Sequence, residues 1–352
     1  MNKKTISLKD NVLKLNFGSL KSRSYAVSIK YFDGESSSLS KRVDYKNKIF
    51  ITPKQDSYLL DIDKSSLWFN GHEPDLMYEL ISRDLSHIVY PVQVKSNEQL
   101  TFLEITNFSQ IVNNRWHHNK SNLTEKYPTK IVQSFYKAFE KNLEKRSVFE
   151  KSMQYDWFWN LLFHPKYIDY SSDHVVKTNF YLAVVPYEFP VKFTGTQKIT
   201  TEITDHHSVE IHFKSDEMMA HNYFISQINK NNINSGNLMY MRLNVYFDLD
   251  VYHLFPMHTR AYFEVYSKDL EEKDTLIKRI EFTQYQEDTE DNKTAPPEKR
   301  SPYLVYEEDE KEIYKTYEGK NYTYQEWKKF EDEQYKIYTE KKTKKSFWDF
   351  LG

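Results

Sequence analysis

Tyr25-Ala26-Val27-Ser28-Ile29-Lys30-Tyr31 places a large apolar or aromatic residue at every second position. Successive side chains of a strand point to opposite faces, so this stretch turns one face inward and leaves the other wet. Working outward, Leu13-Leu15-Phe17 and Tyr58-Leu60-Ile62 show the same alternation, separated by Gly18, by Gly34 with a serine cluster, and by Pro53. Residues 12 to 69 therefore read as an antiparallel meander. The period then changes. Pro74 suits the first turn of a helix, and Leu76, Met77, Leu80, Ile81 and Leu85 follow as one apolar stripe. Ile88, Tyr90, Val92 and Val94, then Leu100, Phe102 and Ile105, return to strand spacing as a hairpin that closes the first sheet.

Residues 107 to 165 read as two or three helices. Ile111, Val112 and Trp116 form a short stripe; Ile131, Val132, Phe135, Phe139 and Leu143 form a better one. Phe149, Met153, Trp157 and Leu161 make an i+4 ladder that stops at Pro165, because the residue before proline is biased out of helix. From 178 to 286, runs at 179–185, 191–204, 208–214, 238–252, 259–267 and 276–285 are rich in Tyr, Phe, Val, Ile and Thr. Such residues suit a pleated, half-buried surface, so a second, curved antiparallel sheet is expected. Gln286 to Arg300 holds no large aliphatic or aromatic residue in 15 positions, includes Pro296-Pro297, and reads as a flexible linker.

Beyond the linker, Thr323-Tyr324-Gln325-Glu326 fits a capping box, and a helix from about residue 324 to 343 is expected, with a narrow stripe that includes Trp327, Phe330, Ile337 and Tyr338. Lys341, Lys342, Lys344 and Lys345 then precede Phe347, Trp348, Phe350 and Leu351. Three readings compete for this tail: fold-back of the aromatics onto the sheet, docking of aromatic anchors into a partner's pocket, and an interfacial membrane anchor. Docking leads, and membrane contact ranks last because so few apolar residues bind a bilayer weakly.

Composition removes several chemistries. Only 7 of the 352 residues are glycine, too far apart for a dinucleotide fingerprint, a P-loop or the usual nucleophile elbow, and there is no cysteine for a thiol nucleophile or thiolate metal site. A net charge of −2 offers no field to draw in nucleic acid. The N-terminus lacks the apolar run of a signal peptide, no stretch of 18 apolar residues is present, and the mean hydropathy is −0.77. A cytoplasmic protein without cofactor is the expectation.

Twelve histidines include the pairs His117-His118 and His206-His207, with His212, His253 and His258 near turns. A metal site is conceivable there, but His72-Glu73 is followed by Pro74-Asp75-Leu76 rather than completing a zinc helix motif, and turn or strand-surface histidines with no metal are the expectation. Tyr155 to Pro165 is the most aromatic-dense segment; a carbohydrate enzyme could stack sugars there beside Asp156, whereas the ladder assigns Trp157 and Leu161 to a core.

Glu73-Pro74-Asp75-Leu76, Tyr90-Pro91-Val92 and Asp156-Trp157-Phe158-Trp159-Asn160-Leu161-Leu162-Phe163 together resemble uncharacterised Bacteroidota proteins encoded near type VI secretion gene clusters. The likeness spans roughly residues 70 to 165. It implies an accessory or cargo adaptor of a bacterial secretion system and carries over no catalytic residue.

The expected fold is α+β: two antiparallel β-sheet regions flanking a helical insertion, plus a C-terminal helix with an aromatic tail. The expected units are a meander domain (1–106), a helical region (107–170), a curved sheet domain (171–286), a linker (287–302) and a docking segment (303–352). The expected function is a non-catalytic protein-interaction component that binds protein partners through Trp327, Phe330, Phe347, Trp348, Phe350 and Leu351. Two alternatives stand beside it: a lipid or hydrophobic-ligand carrier with a pocket between sheet and helices, and a hydrolase.

Overall fold

The computed structural model describes residues 5–18, 20–33, 38–186, 188–229, 238–268, 273–287, 301–306, 315–317, 320–322, 326–327, 329–331 and 333–334. The first half contains β1 (Ile6–Leu8), β2 (Ser22–Asp33), β3 (Ser38–Pro53), β4 (Ser57–Phe69), α1 (Met77–Val89), β5 (Val92–Asn97) and β6 (Phe102–Ile105). A π-helical turn over Gln110–Trp116 leads into α2 (His117–Lys126), followed by α3 (Lys130–Leu143), α4 (Arg146–Met153) and α5 (Trp157–Phe163). Then come β7 (Val175–Leu182), β8 (Val191–Ile199), β9 (Ser208–Ser215), β10 (Met218–Met219), α6 (Asn222–Asn229), β11 (Leu238–Asp250), β12 (Pro256–Lys268) and β13 (Asp274–Gln286). Three short strands follow: β14 (Leu304–Tyr306), β15 (Lys315–Tyr317) and β16 (Lys320–Tyr322).

The α+β class holds, but the two expected sheets are one. Its strand order is β6-β5-β4-β3-β2-β13-β12-β11-β9-β8-β7, with the short β10 also paired to β11. The join is β2 against β13, antiparallel from Asp33↔Lys278 to Tyr25↔Gln286. Each strand would otherwise present an open edge of unpaired N–H and C=O groups, and pairing them removes both edges. One inward row crosses seven strands through this join: Gln197, Phe213, Val245, Ala261, Phe282, Ile29 and Val43.

The sheet is strongly curled around α5. Laid flat at about 4.8 Å per strand, its two end strands would lie about 48 Å apart. Instead the Phe163 ring lies 5.7 Å from Phe102 of β6, and the next residue, His164, stacks 3.9 Å from Phe180 of β7. Trp157 reaches Phe282 of β13 at 6.3 Å and donates its indole N–H to the Ala183 carbonyl (2.8 Å). All residues of α5 except Asn160 are buried. The free edge of β6 is met by α4, where a Glu150 oxygen accepts the Ile105 N–H (2.8 Å).

Several local expectations change. Leu13, Leu15 and Phe17 are buried but form no strand; the Leu13 N–H donates to Ile168 and the Asn16 N–H to His253, so this segment covers the loops around α5 and β11. Helix α1 begins at Met77, leaves Leu76 and Met77 half exposed, and extends through Ile88, which was expected in a strand. The 149–161 ladder is split between α4 and α5, because Asp156 caps α5 by accepting the Phe158 N–H (2.8 Å). Its apolar positions remain buried in both helices.

Close packing of β8 on β9 depends on Gly195. A Cβ there would stand 2.2 Å from the Lys214 carbonyl oxygen and 2.7 Å from Ser215 Cα, both backbone atoms. Gly195→Ala is expected to lower stability by about 1–3 kcal/mol in urea unfolding, because the strands must separate. A midpoint equal to that of the parent protein would contradict it.

Candidate functional site

Two surface clefts share Trp68 of β4. The first, about 230 Å³, lies between β4 and α1 and is lined by Lys64, Ser65, Ser66, Trp68, Glu73 and Arg83, among others. The second, about 300 Å³, takes in Arg42, Tyr45, Lys46, Trp68 and Tyr285. Between Lys46↔Ser65 and Asp44↔Trp68 the register slips, and Ser66 sits at φ +54°. Such a bulge re-aims side chains, and a left-handed serine is a locally strained backbone.

Lys64 links the first cleft to the interior. Its Nζ lies 3.1 Å from Asp156 Oδ2 and 3.8 Å over the Tyr45 ring, with Tyr90 on another side. The Tyr45 hydroxyl donates weakly to Asp156 Oδ1 (3.5 Å), and the Tyr90 hydroxyl accepts from Trp159 (3.0 Å). Burial first, then the Asp156 charge, pushes both tyrosine pKa values well above the usual range, so both hydroxyls stay protonated. Asp156, the carboxylate considered for sugar chemistry, thus serves as helix cap and as counter-ion to Lys64.

A second polar constellation lies behind α5. Lys166 is fully buried, and its Nζ donates to the carbonyls of Leu161 (3.3 Å), Leu162 (2.7 Å) and His164 (3.1 Å). These are the orphan acceptors of a helix end, so the ammonium acts as a C-cap. His164 Nε2 lies 2.8 Å from Gln197 Oε1, and the Gln197 amide donates to Tyr170 (2.7 Å). Burial, then the Lys166 charge, drives His164 down to about 3, so the ring is neutral. Burial likewise lowers Lys166 to about 7. The ordinary lysine value is about 10.4, so between pH 7 and 10 the unfolded chain holds a proton that the native chain has lost. Native stability is therefore expected to rise with pH across that window, by up to about 1.4 kcal/mol per unit, and Lys166→Met to abolish the rise. Parallel pH profiles of the two proteins from pH 7 to 9 would refute this.

The histidines considered from the sequence do not gather. His206 and His207 are exposed on their turn, His212 stacks on Tyr246 at 4.1 Å, and His258 approaches Asp248 at 3.4 Å. Among the described residues, the metal-type ligand atoms that converge belong to His72, Asp75 and Glu79, all within 4.8 Å of one another. The sequence contains this spacing, but it matched no zinc helix because Pro74 interrupts it and His72 lies outside α1.

Of the tail residues, Trp327 is 7% exposed and sits in a small aromatic cluster. Tyr317, Tyr322 and Phe330 place their ring centroids 5.3–5.7 Å from its ring or from each other, on the paired strands β15 and β16 and the helical residues 326–327 and 329–331. Phe330 is half-buried there. Phe347, Trp348, Phe350 and Leu351, the four lysines before them and most of the expected linker lie outside the described residues.

No family model matches the sequence, and no curated protein is similar to it. Among solved structures, one described as lipid–protein interactions in lipovitellin is similar over 86% of this chain at 11% identity and a TM-score of 0.38. The chain spans 29% of that protein's length, and the likeness is too distant to bear on function. No described helix is long and apolar enough to cross a membrane.

Proposed function

We propose that this protein is a non-catalytic binding component that engages a protein partner through its C-terminal aromatic segment. The observation that carries the reading is the aromatic cluster of Tyr317, Tyr322, Trp327 and Phe330. Aromatic clusters of this kind supply the anchors through which a few residues carry most of a binding energy. Tyr317 remains 43% exposed and offers such a surface an edge. The resemblance over residues 70 to 165 supports placing this partner in a bacterial secretion apparatus.

The interior favours binding over catalysis. Asp250, His164 and Lys166, whose pKa values are displaced, each hold ion-pair or hydrogen-bond partners within the fold. Trp157, Trp159, Phe163 and Phe247 are buried in the core. Photo-cross-linking from position 330 of the full-length chain in its native host, read by mass spectrometry, is expected to return one recurrent protein that is lost on deleting residues 341–352. Cross-links confined to the chain itself would overturn the proposal.

A further inference from the structure

His72, Asp75 and Glu79 are each held by a different backbone constraint. Phe69 and His72 exchange both backbone hydrogen bonds (2.9 and 3.0 Å) around Asn70 and Gly71, which sit at φ +51° and +87°. That is the Asn-Gly two-residue hairpin, in which both central residues need positive φ. Asn70 is itself pinned, since its side-chain oxygen accepts the Arg42 N–H and its own N–H donates to the Arg42 carbonyl, both at 2.8 Å. Pro74 restricts the chain next. Glu79 is 2% exposed in the first turn of α1, where its Oε2 accepts the N–H groups of Asp75 (3.3 Å) and Leu76 (3.4 Å).

The start of a helix accounts for two of the three residues. Carboxylates are favoured by the unpaired N–H groups and the positive end of the dipole, so Asp75 and Glu79 need nothing more. The histidine converging on the same point adds a nitrogen donor that capping of the helix does not require. The ring is also oriented: Nδ1 lies 3.0 Å from the Glu73 carbonyl oxygen and donates to it as an N–H, which leaves Nε2 with the lone pair. A hydrogen bond of this kind on the far nitrogen is the arrangement that fixes ligand histidines.

We propose that His72, Asp75 and Glu79 bind a divalent transition cation of the zinc class. One imidazole nitrogen and two carboxylates form a mixed donor set suited to such ions, with the remaining coordination open to water on the exposed side. Ligands about 2.1 Å from a tetrahedral ion stand about 3.4 Å apart. The present spread of up to 4.8 Å closes by rotation of exposed Asp75 and a small shift of the His72 ring that keeps its Nδ1–H on the Glu73 carbonyl, while buried Glu79 stays fixed. The bound ion would tie the β4 hairpin to α1 at the rim of the Trp68 cleft, which Glu73 and Pro74 line.

The test is calorimetric titration of the metal-stripped full-length protein with Zn2+, paired with thermal unfolding. The expected result is one saturable site, a higher Tm with Zn2+, and affinity lowered by at least about tenfold in His72→Ala and Asp75→Asn. Both substituted residues are exposed, so these variants should fold. Glu79→Gln retains an oxygen for the Asp75 and Leu76 N–H groups, and it should weaken Zn2+ while keeping the metal-free Tm. His206→Ala/His207→Ala should bind as the parent does. No Zn2+ binding by the parent, unchanged affinity in His72→Ala, or binding lost only in the His206/His207 variant would each overturn the site.

Discussion

Replacing Arg23 with alanine is expected to destabilise the protein by about 3–5 kcal/mol, one of the two largest single-residue losses in the fold. Arg23, 4% exposed on β2, faces Asp250 at 3.0 Å and donates to the carbonyls of Phe255 (3.1 Å) and Pro256 (3.3 Å). The Tyr25 hydroxyl donates to Pro256 as well (2.6 Å), so one end of β2 clamps the turn between β11 and β12. Removing the guanidinium leaves a buried carboxylate without its charge partner, which costs more than the intact pair contributes. Burial alone would raise the Asp250 pKa, but hydrogen bonding from His253 and the Arg23 charge hold it down to about 2. A depressed carboxylate adds stability above its unfolded value of about 3.9 and loses it as pH falls through 2. Arg23→Ala should therefore flatten the acid limb of the stability profile between pH 4 and 2. Urea unfolding at pH 7 and pH 3 measures both effects, and a loss below 1 kcal/mol at pH 7 would show that the clamp contributes little.

Trp157→Ala should cost about 3–5 kcal/mol, the range for a large aromatic removed from a core. Trp157 is 5% exposed, packs on Phe282 and satisfies the Ala183 carbonyl just beyond β7. Its loss opens a cavity where the curled sheet meets its central helix and leaves a buried acceptor unpaired. Trp157→Phe should recover most of the packing but not the hydrogen bond, and fall between the two. Chemical denaturation of the three proteins checks the order; equal midpoints would mean that α5 does not organise the sheet.

Legibility followed the range of the interaction. The alternation in Tyr25 to Tyr31 and the six later β runs located β2, β7 to β9 and β11 to β13, because the side-chain period of a strand is local. The helical stripe of 131–143 became α3 for the same reason. Leu13, Leu15 and Phe17 alternate as a strand would, yet they bury against loops, since alternation reports which side chains turn inward and not which backbone pairs with which. Among candidate residues, Asp156 drew attention through its aromatic neighbours, while Lys64, Lys166, Arg23 and Asp250 carried no local mark. Lys64 and Asp156 are 92 positions apart, and Arg23 lies 227 positions from Asp250, so only folding gives them their roles.

The amino-acid order alone determined the class, the polarity of the faces and the exclusions that follow from seven scattered glycines and no cysteine. Tertiary structure decided that the two β regions are one sheet, through the β2–β13 pairing, and that α5 is its centre. Backbone hydrogen bonds between strands read no side-chain identity, so a sequence marks which segments can pair and leaves the partner open. Closure of that long-range pairing around the six buried residues of α5, with their apolar surface withdrawn from water, selects the single sheet.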